Sequence, residues 1–252
     1  MTIRRFLAIL AAVALAIVTP LWAADDNGLT VLCSNGIKAA VEELAPRFER
    51  DGHTKVTVKY DLAANLKRRI EAGDAFDVAI VTPAAIDDLI KQGKIAANSR
   101  TMIARSDLAF EMRAGARKPD LSTVDALKTT LLNAKTVAFA KEGASGILFQ
   151  QALTKLGIAD KIKAMPTATG EAVSAAVVNG TAEFGILPVS EILPLKGAEV
   201  AGTFPGETRS FIEMVGGVNA ASAHAADARK LIEFLVSPQA APVLKKTGMS
   251  RN

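Results

Sequence analysis

The feature that most limits this fold is a repeated exchange between two periods. Short apolar runs that read as buried strands alternate with amphipathic stretches of helical period, and small residues stand at the changeovers. Residues 29–32 predict a strand. From Gly36 a helix follows with Ile37, Ala40, Val41, Leu44 and Phe48 on one face, and Pro46 is expected to kink its end. Residues 55–60 alternate as a strand, and a helix from about Asn65 closes at Gly73. Residues 76–81 form another strand, after which Thr82 and Pro83 open a helix. The rhythm then resumes. Ser122 caps a helix, residues 136–139 make a strand, and Gly143 to Gly146 open a helix that ends at Gly157. Gly170 opens another helix, residues 183–187 and 199–203 are strands, and two helices close the chain near 225–236 and 238–246.

This alternation implies an α/β fold of parallel-rich sheets flanked by helices. Two rounds with a C-terminal return suit two lobes, one of residues 25–103 plus 207–252 and the other of 104–206. Ligands of such sheets bind beyond the carboxyl ends of strands, on loops that open helices. With half its residues hydrophobic, the chain can bury a core and is not disordered.

The first 24 residues stand apart. Arg4 and Arg5 precede an acid-free apolar run over 6–18, then a small-residue zone ending at Ala23-Ala24. This pattern predicts a cleaved secretory signal peptide and a periplasmic product. The run is too short to cross a membrane, which takes about 20 apolar residues. Lys plus Arg is 30 against 26 acids, so losing Arg4 and Arg5 leaves a charge of +2. That balance gives no reason to expect a nucleic-acid partner. A single cysteine, Cys33, excludes an internal disulfide and a cysteine zinc cluster, and two histidines, His53 and His224, leave little for a metal. No cofactor fingerprint is present.

Three junctions carry the functional expectation: Ser34-Asn35-Gly36, Ala63-Ala64-Asn65 and Ala144-Ser145-Gly146. Small residues at a helix start expose backbone N–H groups, and the helix dipole adds partial positive charge, so such loops hold anions. They also cap helices with no ligand at all. A hydrolase built on Ser145 or Cys33 is the rival from another class. It lacks a base, because His53 sits in a turn-like stretch and His224 among alanines, and residues 143–146 lack the second spacing of a nucleophile elbow. No catalysis is expected.

At these residues the sequence resembles the periplasmic molybdate-binding family of type II solute-binding proteins. The likeness is strongest over 31–48, 65–80, 144–147 and 234–248. It implies two α/β lobes joined by a hinge and closing on a ligand, and delivery to an ABC-transporter permease in the inner membrane; a monomer without covalent chemistry is expected. Carried over by position, the family's first-loop serine falls at Gly36 or Ser34 and its second-loop serine at Ala63 or Ala64. Its oxyanion-binding alanine falls at Ser145 and the valine site at Val173. The family's tyrosine falls at Pro188. Two hydroxyls and a phenol are thus replaced while backbone donors survive. The expected site is Ser34, Asn35, Gly36, Ala63, Ala64, Asn65, Ser145, Gly146, Val173 and Pro188, holding a small molybdate-like anion. An organic carboxylate, or use as a sensor or adaptor, remains an alternative.

Overall fold

A computed structural model describes residues 28–51 and 54–251. The expected signal peptide and His53 lie outside the described residues. The first round of alternation consists of β1 (Gly28–Ser34), a 3-10 turn (Asn35–Ile37), α1 (Lys38–Arg50), β2 (Lys55–Asp61), α2 (Ala63–Glu71), β3 (Val78–Val81) and α3 (Pro83–Lys91). A 13-residue strand, β4 (Thr101–Arg113), follows. The second round has α4 (Val124–Asn133), β5 (Val137–Ala140), α5 (Ala144–Leu156), β6 (Ala164–Thr167), α6 (Gly170–Asn179), β7 (Phe184–Pro188), α7 (Val189–Ile192) and β8 (Ala198–Thr203). The chain ends in β9 (Phe211–Val218), α8 (Ala225–Leu235) and α9 (Ala241–Lys246).

The strands run in the order β2-β1-β3-β9-β4-β7-β5-β6, with β8 also paired to β4. The β2-β1-β3 and β6-β5-β7 sets are parallel, as the alternation implies. The middle is not: β9 runs antiparallel to β3 and β4, and β4 antiparallel to β7 and β8. The sheet is therefore mixed. β4 changes partners partway along, pairing with β9 over Thr101–Asp107 and with β7 over Leu108–Met112.

Helices cover both faces on either side of that change. Leu44 and Phe48 of α1 pack with Leu231 and Leu235 of α8 and Leu244 of α9 against one face of β1 and β3. Leu66 and Ile70 of α2 join Ile86 and Leu89 of α3 on the other face. Beyond the change, Leu127 and Leu131 of α4 share a core with Phe149 and Leu153 of α5. Val173 and Val177 of α6 seal the opposite face. Two local expectations are corrected. α4 is capped by Thr123, whose hydroxyl accepts from Ala126 N at 3.1 Å, while Ser122 turns to Asp120. α2 starts at Ala63, so Asn65 lies inside the helix rather than before it.

Candidate functional site

The carboxyl ends of β1, β2, β5, β6 and β7 converge on one region. Ser34 ends β1 and Asn35 follows it, Leu62 and Ala63 follow β2, and Gly143 to Ser145 follow β5. Gly170 follows β6, Pro188 ends β7 and Glu191 follows it on α7. All of these line a small cavity of about 20 Å³, closed at its floor by Ile212 and Met214 of β9. A water needs roughly 10–15 Å³ by this measure, so the space suits an ion or a ligand head of a few atoms.

Local structure leaves hydrogen-bond donors facing this cavity. The helical segments that begin after Ser34, Leu62 and Gly143 have no side-chain cap. By contrast, α4 and α6 are closed by Thr123 and Thr169. Ser34 and Ser145 are each only 6% exposed, yet neither hydroxyl has a hydrogen-bonding partner among the described residues. A buried hydroxyl without a partner is costly unless something enters to meet it. Close backbone approach shapes the wall. A Cβ on Gly146 would fall 1.9 Å from the Ala140 carbonyl oxygen, so glycine lets α5 begin against the end of β5.

The expected site residues divide. Ser34, Asn35, Ala63, Ser145 and Pro188 come together in the cavity lining. Gly36, Gly146 and Val173 stand behind its walls: Gly36 backs Met214 and Glu191, Gly146 backs Ala140, and Val173 is buried in the α6 core. Ala64 is not in the lining. Asn65 is turned away, its Nδ2 donating to Asp61 Oδ1 at 2.7 Å and its Oδ1 accepting from Arg68. An Asp four residues before an Asn was the signal for that pairing, which here reaches from the end of β2 into the first turn of α2.

Sequence reasoning missed Glu191. Its carboxylate is wedged between the two halves of the site, where a Cβ on Gly170 would lie 2.6 Å from Oε2 and one on Gly36 3.8 Å from Oε1. Beside it, the Ser190 hydroxyl donates to the Gly36 carbonyl at 2.7 Å and ties α7 to the start of α1. Burial, then the charges of Glu171 and Glu111, push Glu191 up to about 7. Glu111 of β4 is also held near 7 by burial, against a hydrogen bond from the Ser174 hydroxyl at 3.2 Å. Beyond Glu191 lies a second cavity of about 270 Å³, between α1, α6 and α7, which shares Asn35, Gly170, Leu187 and Glu191 with the first.

The hydrolase candidates fare differently. Cys33 is fully buried, its thiol pushed up by burial and its Sγ directed to the Ser34 carbonyl at 3.6 Å, so it is no nucleophile. Ser145 faces the cavity, but His224 stands at the start of α8 and does not line it. The titratable group in the lining is Glu191.

A mixed α/β sheet flanked by helices, with partly open helix starts gathered around an enclosed cavity, defines a protein that holds a small solute. The chain belongs to the bacterial extracellular solute-binding protein family, whose model matches residues 29–250, and it is of the type II, molybdate-binding-protein-like kind. It is 32% identical to an aconitate isomerase from Pseudomonas sp, over 92% of this chain and 91% of that protein. It is 27% identical to the molybdate-binding protein ModA of Escherichia coli (strain K12), over 90% of each. Among solved structures, the periplasmic molybdate-binding protein of Azotobacter vinelandii superposes with a TM-score of 0.74 at 21% identity, covering 88% of this chain and 98% of that one.

Proposed function

We propose that this solute-binding protein takes a small organic carboxylate in preference to molybdate. The observation that carries this reading is Glu191 in the wall of the anion cavity. A fully deprotonated tetrahedral oxyanion is held best by donors on every side. Here one side offers a carboxyl group, which either repels the anion or must keep a proton. Ala63 and Pro188 supply no hydroxyl where the resemblance places a serine and a tyrosine. A carboxylate needs donors on two oxygens only, and Ser34, Asn35, Ser145 and the starts of α2 and α5 supply them. The rest of such a ligand extends past Glu191 into the larger cavity.

On this reading Ser34, Asn35, Ala63, Ser145 and Pro188 touch the ligand head, while Gly36, Gly146 and Val173 set the walls. The halves on either side of the partner change in β4 act as two lobes. They hinge at Asp107–Leu108 and at the return segment 204–210, and close on the solute. A periplasmic location and delivery to an inner-membrane permease complete the proposal. Calorimetry with molybdate, sulfate and a series of mono-, di- and tricarboxylates tests it. Binding of a carboxylate at least tenfold tighter than either oxyanion supports it, and the reverse order refutes it.

The relative named as an isomerase favours a second reading, in which the bound carboxylate also reacts. Glu191, poised near 7, has the acidity a general base needs at neutral pH. It would take a proton from the carbon next to a double bond and return it at the far end of the three-carbon unit, with no net change in atoms or electrons. The donors around the carboxylate would hold the negative charge that develops. NMR of trans-aconitate incubated with the protein tests this: turnover lost in Glu191→Gln supports it, and absence of turnover leaves a binding protein.

A further inference from the structure

The two cavities that meet at Glu191 present opposite hydrogen-bonding character. Around the larger one, Ser174 and Ser190 are buried, and both have committed their protons elsewhere: Ser174 to Glu111 and Ser190 to the Gly36 carbonyl. They show the cavity lone pairs only. Glu171 and Glu191 line the same space, and neither has a cationic or hydrogen-bonding partner among the described residues. Glu191 is half-buried and Glu171 is exposed at the rim. The one cation in the lining, Lys38, is engaged with Glu42 at 3.9 Å and lies 5.4 Å from the centre of the Tyr60 ring. A cleft with buried serine oxygens on its inner wall, acidic groups at its rim and excess negative charge is matched by a donor that carries positive charge. Its volume, about 270 Å³, accommodates more than the head of an anion.

We propose that the larger cavity receives an ammonium group of the ligand while its carboxylate occupies the smaller one, so that the solute is an amino-carboxylate. This rests on the carboxylate reading above and narrows it. The ammonium would meet Glu191 and Glu171, with the Ser174 and Ser190 oxygens as further acceptors. Asn35, which lines both cavities, would turn its oxygen to the ammonium or its amide to the carboxylate.

The sign of the pH dependence separates this proposal from its rivals. The charged and titratable groups around Glu191 are Glu171 from α6, Glu111 from β4, and Lys38 with Glu42 from α1. An ammonium beside Glu191 favours its ionised form, so affinity should rise as pH rises from 6 to 8. An anionic group there favours the protonated form, and affinity should fall.

The experiment is calorimetry on the purified protein with glycine, β-alanine and γ-aminobutyrate. Each is paired with the amine-free acid of the same length, with succinate, trans-aconitate and molybdate as further ligands. The expected result is an amino-carboxylate that binds at least tenfold tighter than its amine-free partner, with affinity rising over pH 6–8. Glu171→Gln, at an exposed position that will not disturb folding, should weaken that binding several-fold. Glu191→Gln should weaken it at least tenfold and flatten the pH profile. Amine-free carboxylates that bind as well, or affinity that falls with pH, would overturn the amino-carboxylate proposal and leave the carboxylate reading standing. Binding of molybdate alone, or of no ligand in the panel, would overturn both.

Discussion

The smaller and larger cavities sit a side chain apart, yet the chain treats its protons oppositely in each. Around the smaller one, the Ser34 and Ser145 hydroxyls and the starts of α2 and α5 are left without side-chain partners. Around the larger one, each serine hydroxyl is already spent on a carboxylate or carbonyl. The smaller cavity is built at the ends of the strands and the larger one between the first turns of α1, α6 and α7, and the two share Asn35, Gly170, Leu187 and Glu191. The difference lies in which groups the fold satisfies internally. A site is therefore read from what stays unsatisfied, and Glu191, shared by both cavities, is where the two characters meet.

The largest expected effect comes from closing the donor side by force. Gly146→Val would drive a side chain into the Ala140 carbonyl, since even a Cβ there lies 1.9 Å from that oxygen. α5 would have to lift off β5, costing about 3 kcal/mol as severe overpacking does, and dispersing the donors at 144–146. Chemical denaturation would register the loss. A variant as stable as the parent would show that α5 is free to shift, and that the small cavity is not a fixed feature.

Next comes the acid behind the acceptor side. Glu111 is 0% exposed with Oε1 lacking a partner among the described residues, and its pKa is raised from 4.5 to about 7. A carboxyl with a raised folded pKa binds more protons folded than unfolded between those values. Its contribution to stability is thus complete below about pH 4.5 and is lost as pH rises through 7. The shift corresponds to about 3 kcal/mol at most. Glu191 acts in the same direction. Melting temperature measured from pH 5 to 8 should fall in the parent and fall less steeply in Glu111→Gln. Identical slopes would mean that Glu111 ionises freely and that the buried side of the larger cavity carries no stored proton.

Ser145→Ala addresses the donor side alone. The hydroxyl has no partner among the described residues, so stability should change little, whereas a charged ligand head would lose a hydrogen bond. That loss is worth about 1.5–3 kcal/mol, or roughly ten- to a hundredfold in Kd. Unchanged affinity for every ligand that binds would remove Ser145 from the site.

These outcomes also bear on how much was readable in advance. Strand and helix alternation was legible because buried strands and amphipathic helices write different periods into the sequence. The junctions at Ser34–Asn35, Ala63 and Ser145 followed from their place at strand ends. β4 was not legible, because Arg105, Asp107 and Glu111 interrupt its apolar pattern. Each charge is accommodated only by distant chain: Arg105 stacks over Phe211 at 4.3 Å, Asp107 pairs with Arg209 at 2.8 Å, and Glu111 lies under α6 beside Ser174. Glu191 was lost with α7, whose four residues are too few to show a period. The only sequence signal was an acid three residues after the proline that ends β7. Asn65 was over-read, since its junction looked open while Asp61 already held its amide.

The smallest effect tests the contrast between spent and spare groups most cleanly. Thr169 caps α6 by accepting from Ala172 N at 3.2 Å, at the same strand-end level as the open starts of α2 and α5. If a cap used internally is structural and an open start is functional, Thr169→Ala should cost about 1 kcal/mol of stability, as lost caps do, while ligand affinity stays within about twofold of the parent. Ser145→Ala should give the mirror image, with affinity lost and stability kept. Measuring both quantities on both variants forms a two-by-two comparison that neither variant provides alone. Gly170, the first residue of α6, already lines the cavity, so a Thr169→Ala protein that keeps its stability but loses its ligand would mean that the Thr169 hydroxyl serves the ligand rather than the helix. The division between satisfied and unsatisfied helix starts would then not mark where the solute binds.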